Sequence, residues 1–169
     1  MYKSGLLIGT FRKQEYKGEE TEDSNKKMSD FQIKFLIKKL NKWEEEEKHR
    51  IWVAKKYEEF LKETFIQRPR LSATYQPTYL RYPILVKNKD KVLEEAQKRK
   101  IELGDWYISP VHPLIDEQLE LVNYKKGLCP IAEEVCQKVV TLPIHEKITE
   151  KEIERIKAFL YEMEVKGFC

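Results

Sequence analysis

The clearest pattern of hydrophobic and polar positions lies in the last third of the chain. Residues Val139 to Ile144 form a β-branched and aliphatic run that is typical of a short buried strand. Pro143 indicates that this strand lies at a sheet edge or is about to end, because proline donates no hydrogen bond to a neighbouring strand. Apolar residues then recur at helical spacing, at Ile153, Ile156, Phe159 and Leu160. The pattern predicts a strand followed by an amphipathic helix.

Two helix starts are marked by capping boxes, in which a hydroxyl accepts a backbone hydrogen bond and a later Glu or Gln reaches back. Thr149 and Glu152 form one of them, directly before the amphipathic pattern near the C-terminus. Ser29 and Gln32 form the other, ahead of a second helical pattern. The two pairs predict where both helices begin.

The segment from Ser29 to Glu63 is predicted to be one long helix, or two helices separated by a bend. Its apolar positions near a single stripe are Leu36, Leu40, Trp43, Ala54, Tyr57 and Leu61. Four acidic residues, Glu44–Glu47, interrupt the stripe, and we interpret them as a solvated middle of the helix in preference to a metal-binding carboxylate cluster. A long helix exposed at its centre commonly bridges two domains or subunits.

Shorter elements are predicted between these helices. Arg81–Val86 has the composition of a strand, and Asn88 can cap a helix over Lys89–Lys100. Ile101–Tyr107 is predicted to be a second strand or an extended segment. Cys129–Gln137 is predicted to be a short helix with a proline near its first position.

The order of these elements predicts an α+β fold. We expect a two-layer sandwich in which a small mixed or antiparallel sheet has helices on one side and is preceded by the long helix. The predicted regions are a strand and loop over residues 1–28, a bridging helix over 29–65 and a small α+β domain over 66–169. The first region is interpreted as a remnant of a larger domain.

Composition narrows the function classes. The net charge of +3 comes from 32 basic and 29 acidic residues mixed along the chain, which disfavours a nucleic-acid-binding protein. No apolar run approaches the roughly 20 residues of a membrane helix, and no signal peptide is recognised at the start. The chain has three cysteines, which is an odd number and too few for a disulfide framework. We therefore expect a cytoplasmic protein. Cys129 and Cys136 are not spaced like a zinc site.

Candidate chemistry is sparse. None of the three histidines belongs to a metalloprotease motif, and no nucleophile elbow is present. The piece DWYISPVHP, residues 105–113, is rich in aromatic residues and proline and lacks periodicity, as segments that line clefts often do. His112 within it and His145 after the predicted strand lie where binding residues are often placed. A purely packing or surface role for each is equally open.

Six segments, in order, resemble the DegT/DnrJ/StrS family of pyridoxal-phosphate-dependent sugar aminotransferases. They are SNKKMSDFQ, AKKYEEFLKE, RYPILVKNKDKVLEEAQKRKI, DWYISPVHPL, CPIAEEVCQKVVTLPIH and ITEKEIERIKAFL. The resemblance runs from about Asn25 to Leu160 and covers only the C-terminal part of a family member. It implies the small domain of a fold type I enzyme whose large catalytic domain, with the Schiff-base lysine, lies N-terminal to everything in this chain.

The resemblance implies specific roles. Asn25 occupies the position from which the family contacts the pyridoxal phosphate of the dimer mate, although Lys27 replaces the usual arginine. Tyr107, His112 and His145 are the expected substrate-binding residues. The chain alone is expected to be inactive and to work as a homodimer or with a companion N-terminal half on a sugar-nucleotide substrate. The alternative is a non-catalytic interaction module derived from an aminotransferase.

Overall fold

The computed structural model describes residues 14, 17, 19–21, 25–69, 74–75 and 77–169, so most of the predicted N-terminal strand and loop lies outside the described residues. The elements are α1 (Asp30–Leu40), α2 (Trp43–Leu61), β1 (Tyr82–Leu85), α3 (Lys89–Lys98), a 3-10 helix (Asp116–Val122), α4 (Pro130–Cys136), β2 (Val139–Leu142) and α5 (Glu150–Val165). The predicted α+β class, a small sheet with several helices, is confirmed.

The long N-terminal helix is divided in two. The predicted capping box is present, because Ser29 Oγ accepts from the Gln32 amide at 3.3 Å and Gln32 Oε1 accepts from the Ser29 amide at 2.8 Å. The helix ends at Leu40, and α2 begins after a two-residue break. Of the two options that the pattern left open, two helices with a bend is therefore the observed one.

The apolar stripe of this region is buried only in α2. Ala54, Tyr57 and Leu61 are buried, whereas Leu36, Leu40 and Trp43 are exposed, and α1 has no buried residue at all. Periodicity correctly indicates which residues share a helix face. It does not indicate whether something in the same chain packs against that face.

The sheet consists of two antiparallel strands with the register Tyr82↔Leu142 to Leu85↔Val139. The side of β2 away from β1 is taken by Gly104, whose amide donates to Thr141 O at 2.8 Å and whose carbonyl accepts from the Thr141 amide at 3.0 Å. The predicted strand Ile101–Tyr107 is thus an extended segment with one bridge. Since β2 has neighbours on both sides, Pro143 marks the end of the strand and not an edge.

The core lies between this sheet and the helices α2 and α5. The predicted inward residues of α5, Ile153, Ile156, Phe159 and Leu160, are all buried. Each such side chain contributes about 1.5–3 kcal/mol through its burial. The Thr149 hydroxyl caps α5 by accepting from the Glu152 amide at 3.3 Å, while the Glu152 carboxylate pairs with Arg155.

Tyr57 fastens α2 to the end of β2. Its hydroxyl donates to Pro143 O at 2.7 Å, and its ring packs edge-on against the rings of Phe60 and Tyr82. Burial raises the pKa of Tyr57 far above its usual range, so the phenol keeps the proton that it donates. This bond joins the end of the sheet to the helix that covers it.

The shorter helices also follow the sequence. Asn88 caps α3 by accepting from the Lys91 amide at 3.1 Å, and Val92 and Ala96 are buried. Pro130 is the first residue of α4, where its missing amide costs nothing. None of the helices described is both long and apolar enough to span a membrane.

Candidate functional site

The predicted cleft segment leaves the sheet at Gly104. A side chain at this position would place its Cβ 2.9 Å from Trp106 Cδ1 and 3.2 Å from Arg81 Nη1, in addition to a collision with the Thr141 hydroxyl. The absence of a side chain therefore lets the indole and the guanidinium approach the sheet. Arg81 lies over the Trp106 ring, with Cζ 4.4 Å from the ring centroid.

The imidazole of His112 lies between two aromatic side chains. Its ring centroid is 5.9 Å from that of Trp106 and 6.2 Å from that of Tyr107. Tyr107 has a positive φ of 66° and is 56% exposed. A non-glycine residue with this backbone is strained and is commonest at turns and functional sites. The structure thus brings together two of the predicted substrate-binding residues, Tyr107 and His112.

His112 is a neutral imidazole in this site. Burial lowers its pKa, an effect that Lys89 reinforces and Asp105 opposes. Its Nδ1 lies 3.4 Å from the Ile108 amide, which is the orientation of an acceptor and leaves the ring proton on Nε2. At neutral pH the ring therefore adds an aromatic surface to the segment without adding a charge.

Beneath this segment lies an ion pair between a buried lysine and an exposed aspartate. Lys89 is 8% exposed, and its Nζ is 2.5 Å from Asp105 Oδ1 and 3.0 Å from Cys136 O. Charged side chains are rarely buried unless they are paired in this way. The pair fastens α3 and the end of α4 to the start of the cleft segment, and it neutralises the charge of Asp105.

One further polar group, the hydroxyl of Ser109, lies in this region. Ser109 is 6% exposed, and its hydroxyl has no hydrogen-bond partner among the described residues. Such a group is uncommon in a folded protein, because an unmade buried hydrogen bond costs about 1–3 kcal/mol. It lies two residues after Tyr107.

His145 has different neighbours from His112. Its Nε2 lies 3.0 Å from Glu102 Oε2, and its Nδ1 accepts from the Lys147 amide at 3.3 Å. Accepting at Nδ1 puts the ring proton on Nε2, where it is donated to Glu102. The third predicted substrate-binding residue is therefore placed against the segment before Gly104, and not against the His112 rings.

Asn25 is exposed in a turn four residues before the Ser29 cap. Its predicted contact with a cofactor phosphate stays a prediction. Cys129 and Cys136, whose spacing does not fit a zinc site, differ in burial: Cys129 is exposed and Cys136 is buried. In the part of the chain that the structure describes, no three His, Cys, Asp or Glu side chains are grouped as metal ligands.

Lys89 is the only buried lysine among the described residues, and its amine is already committed to Asp105 and Cys136 O. A lysine that holds pyridoxal phosphate needs a desolvated amine that is free to react. The exposed lysines lack the desolvation and Lys89 lacks the freedom. The described residues therefore fit a supporting role toward that cofactor and not its covalent attachment.

Sequence reasoning missed three residues of this site: Arg81, Trp106 and Lys89. Arg81 was assigned only to the start of a strand, and the Lys89 pair joins residues 16 positions apart. The available signal was Gly104, a lone glycine in an extended run, since such a glycine often marks close approach of other groups. This glycine alone does not indicate which side chains approach it.

A second feature that bears on function is the exposed apolar surface of α1. The apolar side chains of this helix are all exposed, together with one residue before it and one after it; they are Met28, Phe31, Ile33, Phe35, Leu36, Ile37, Leu40 and Trp43. Phe31 alone is 79% exposed. We call these eight residues the α1 surface. A helix this apolar around its circumference is normally buried.

Comparison with known proteins gives a consistent result. The model of the DegT/DnrJ/EryC1/StrS aminotransferase family matches residues 7–160. The uncharacterized protein MJ1066 of Methanocaldococcus jannaschii is 32% identical over 133 residues, which cover 75% of this chain and 34% of that protein.

Solved structures agree in fold. A DegT/DnrJ/EryC1/StrS aminotransferase from Brucella abortus superposes with a TM-score of 0.65 at 25% identity, over 76% of this chain and 34% of that one. Spr1654 of Streptococcus pneumoniae, described as a sugar aminotransferase and solved in its PMP form, superposes with a TM-score of 0.74 at 16% identity, over 87% and 40%. The chain therefore spans between about a third and two fifths of the length of these three proteins.

Proposed function

This chain belongs to the DegT/DnrJ/EryC1/StrS aminotransferase family, and on that premise we propose that it is the C-terminal small domain of a pyridoxal-phosphate-dependent sugar aminotransferase. It closes over the substrate, contributes dimer contacts and is inactive without the polypeptide that carries the cofactor lysine. The observation that carries this proposal is the α1 surface.

The exposed apolar residues of the α1 surface support a protein partner. Burying a single Phe, Leu or Ile is worth about 1.5–3 kcal/mol, and this helix leaves six such residues in water. The match covers only 34% of the M. jannaschii relative, so most of that relative has no counterpart in the matched residues. We propose that α1 packs against a portion of this kind, while α2 connects it to the sheet.

The cofactor would be held mainly outside this chain. When bound, pyridoxal phosphate supplies the electron sink for amino transfer. Asn25, exposed just before α1, would add an amide donor to the phosphate of the dimer mate's cofactor. The PLP and PMP forms of Spr1654 support the choice of cofactor. No described lysine of this chain is suited to hold it covalently.

The cleft segment would form the wall on the substrate side. The exposed ring of Tyr107 and the neutral ring of His112 offer an aromatic surface of the kind that excludes water from a sugar-binding site. His145, held by Glu102 at the end of β2, would line the same side of the closed domain. The substrate in the complete enzyme would be a sugar nucleotide.

A chimera tests this function. The C-terminal third of the M. jannaschii relative is replaced by this chain, and the purified chimera is examined for the visible absorbance of bound pyridoxal phosphate. We expect cofactor binding and amino transfer in the chimera, and neither in the 169-residue chain alone. The matched control carries Phe31→Ser and Phe35→Ser in α1, which should weaken the docking of the two portions.

Two results would contradict the proposal. One is covalent attachment of the cofactor to a lysine of the isolated chain, detected by mass spectrometry after borohydride reduction. The other is a chimera that folds and docks α1 but binds no cofactor. That second result would favour the non-catalytic interaction module.

A further inference from the structure

We propose that Arg81 binds an oxyanion, a phosphate or carboxylate group of a ligand that enters beside Trp106 and Tyr107. This inference rests on the proposed function for its substrate wall, but it concerns a group in this chain that neither the sequence pattern nor the comparisons assign. It is testable without any cofactor.

The arginines of the described residues differ in one respect. Four of the five are paired with a carboxylate: Arg50 with Glu46 at 3.9 Å, Arg68 with Glu58 at 3.1 Å, Arg99 with Glu162 at 2.5 Å and Arg155 with Glu152 at 2.8 Å. Arg81 has no carboxylate partner and donates no hydrogen bond to any described residue. This chain is rich in acidic residues, so an arginine left without one is informative.

Arg81 is nevertheless held in place. Its guanidinium stacks over Trp106 at 4.4 Å and fits against Gly104, where a Cβ would approach Nη1 to 3.2 Å. A contact between a guanidinium and an aromatic ring face does not use the N–H groups as hydrogen-bond donors to oxygen. Five N–H donors in a fixed planar fork match the geometry of phosphate and carboxylate oxygens. Ordering the fork in advance lowers the entropic cost of binding such a group.

The local charge also favours an anion at this position. Asp105, which directly precedes Trp106 in the sequence, is paired with Lys89 at 2.5 Å. His112 is neutral at pH 7 because burial lowers its pKa. Arg81, which contacts this segment through Trp106, is therefore a charged group without an opposite charge beside it among the described residues. Next to it are aromatic rings, so a ligand that combines an oxyanion with a flat or apolar portion would be recognised at both ends.

The experiment measures oxyanion binding to the full 169-residue chain and, in parallel, to the chimera. Inorganic phosphate, pyrophosphate and acetate are titrated at constant ionic strength, so that general screening does not change. Binding is followed by the NMR shift of the Trp106 indole N–H, which is assigned with Trp106→Phe.

We expect a saturable shift whose affinity falls at least tenfold in Arg81→Gln. Arg81→Lys should be intermediate, because it keeps the charge and loses the fork. The matched control is Arg50→Gln, since Arg50 also stacks on a tryptophan, Trp43 at 5.5 Å, but is paired with Glu46. This control should bind as the unmodified chain does.

A response to phosphates alone identifies a phosphate group as the ligand feature, and a response to acetate alone identifies a carboxylate. Equal affinity in Arg81→Gln and the unmodified chain would overturn the proposal, as would no saturable shift with any of the three probes. Cofactor binding by the chimera does not depend on this outcome, so failure of Arg81 and failure of the proposed function are distinguished.

Discussion

Helices α1 and α5 are built alike and end up in opposite environments. Each helix is preceded by a residue whose side-chain hydroxyl accepts a hydrogen bond from the backbone amide three residues later. This residue is Ser29 for α1 and Thr149 for α5. Both carry many apolar residues, yet α5 buries five of its side chains and α1 buries none. The local sequence therefore determines that a helix forms and where it begins. Whether its apolar face is buried depends on the rest of the polypeptide that is present.

The two helices should contribute differently to the free energy of unfolding and to the free energy of binding a partner. Stability of the isolated chain should depend on α5 and hardly at all on α1, because only α5 has its contacts in place. Binding to an N-terminal catalytic portion should show the reverse dependence. Substitutions at matched positions in the two helices separate these contributions.

The largest difference is expected between substitutions of a phenylalanine in α5 and of one in α1. Phe159→Ala removes a side chain from the core and should lower the free energy of unfolding by about 3–5 kcal/mol. Phe35→Ala removes an exposed side chain and should change it by less than about 0.5 kcal/mol. Urea denaturation of both variants measures the difference. A loss of more than about 2 kcal/mol in Phe35→Ala would mean that α1 is already packed in the isolated chain.

The caps should give a smaller contrast of the same kind. Thr149→Ala removes the hydroxyl that accepts from the Glu152 amide, and it should cost about 1 kcal/mol of global stability. Ser29→Ala removes the equivalent bond to the Gln32 amide. Since α1 contributes little to the core, the loss should appear as faster amide hydrogen exchange within α1 and not as a lower unfolding midpoint. Equal shifts of the midpoint in both variants would contradict this.

The smallest effect concerns the exposed face of α5, which is tied to α3 by Arg99. The hydrogen bond from Arg99, followed by that from Lys166, lowers the pKa of Glu162 to about 2 from a usual value of 4.5. The unfolded chain takes up this proton first as the pH falls, so the stability from the pair is present above about pH 4.5 and is lost between there and about pH 2.

Glu162→Gln should therefore flatten the pH dependence of stability in that window and leave the behaviour near neutral pH almost unchanged. Thermal unfolding scans between pH 2 and pH 7 compare the variant with the unmodified chain. A variant whose unfolding midpoint falls with acid as steeply as that of the unmodified chain would exclude Glu162 as the source.

Much of the fold could be predicted because the relevant signals are local. The two hydroxyl caps, the proline that opens α4 and the inward positions of α5 each depend on residues a few positions apart. The missing information is long-range. Thr141 pairs with Gly104 from 37 residues away, and no local pattern records that pairing.

The candidate site was predictable only in part for the same reason. The composition of the segment with Tyr107 and His112 indicated a cleft, and the structure brings these two rings together. Arg81 lies over the indole of Trp106, 25 residues later in the chain. Its place in the site could be identified only from the structure, because the fold brings these two distant residues together. The separation of His145 from the His112 rings likewise depends on how the strand ends.

The bond from Tyr57 to Pro143 restricts how α2 and the end of the sheet can move relative to each other. It links α2 by a hydrogen bond to the backbone two residues before His145. The phenol keeps its proton throughout the ordinary pH range, because burial raises its pKa. A tilt of α2 that keeps this bond must therefore move the backbone at Pro143 with it. The helical backbone is interrupted at Asn41 and Lys42, so a tilt of α2 need not be shared by α1.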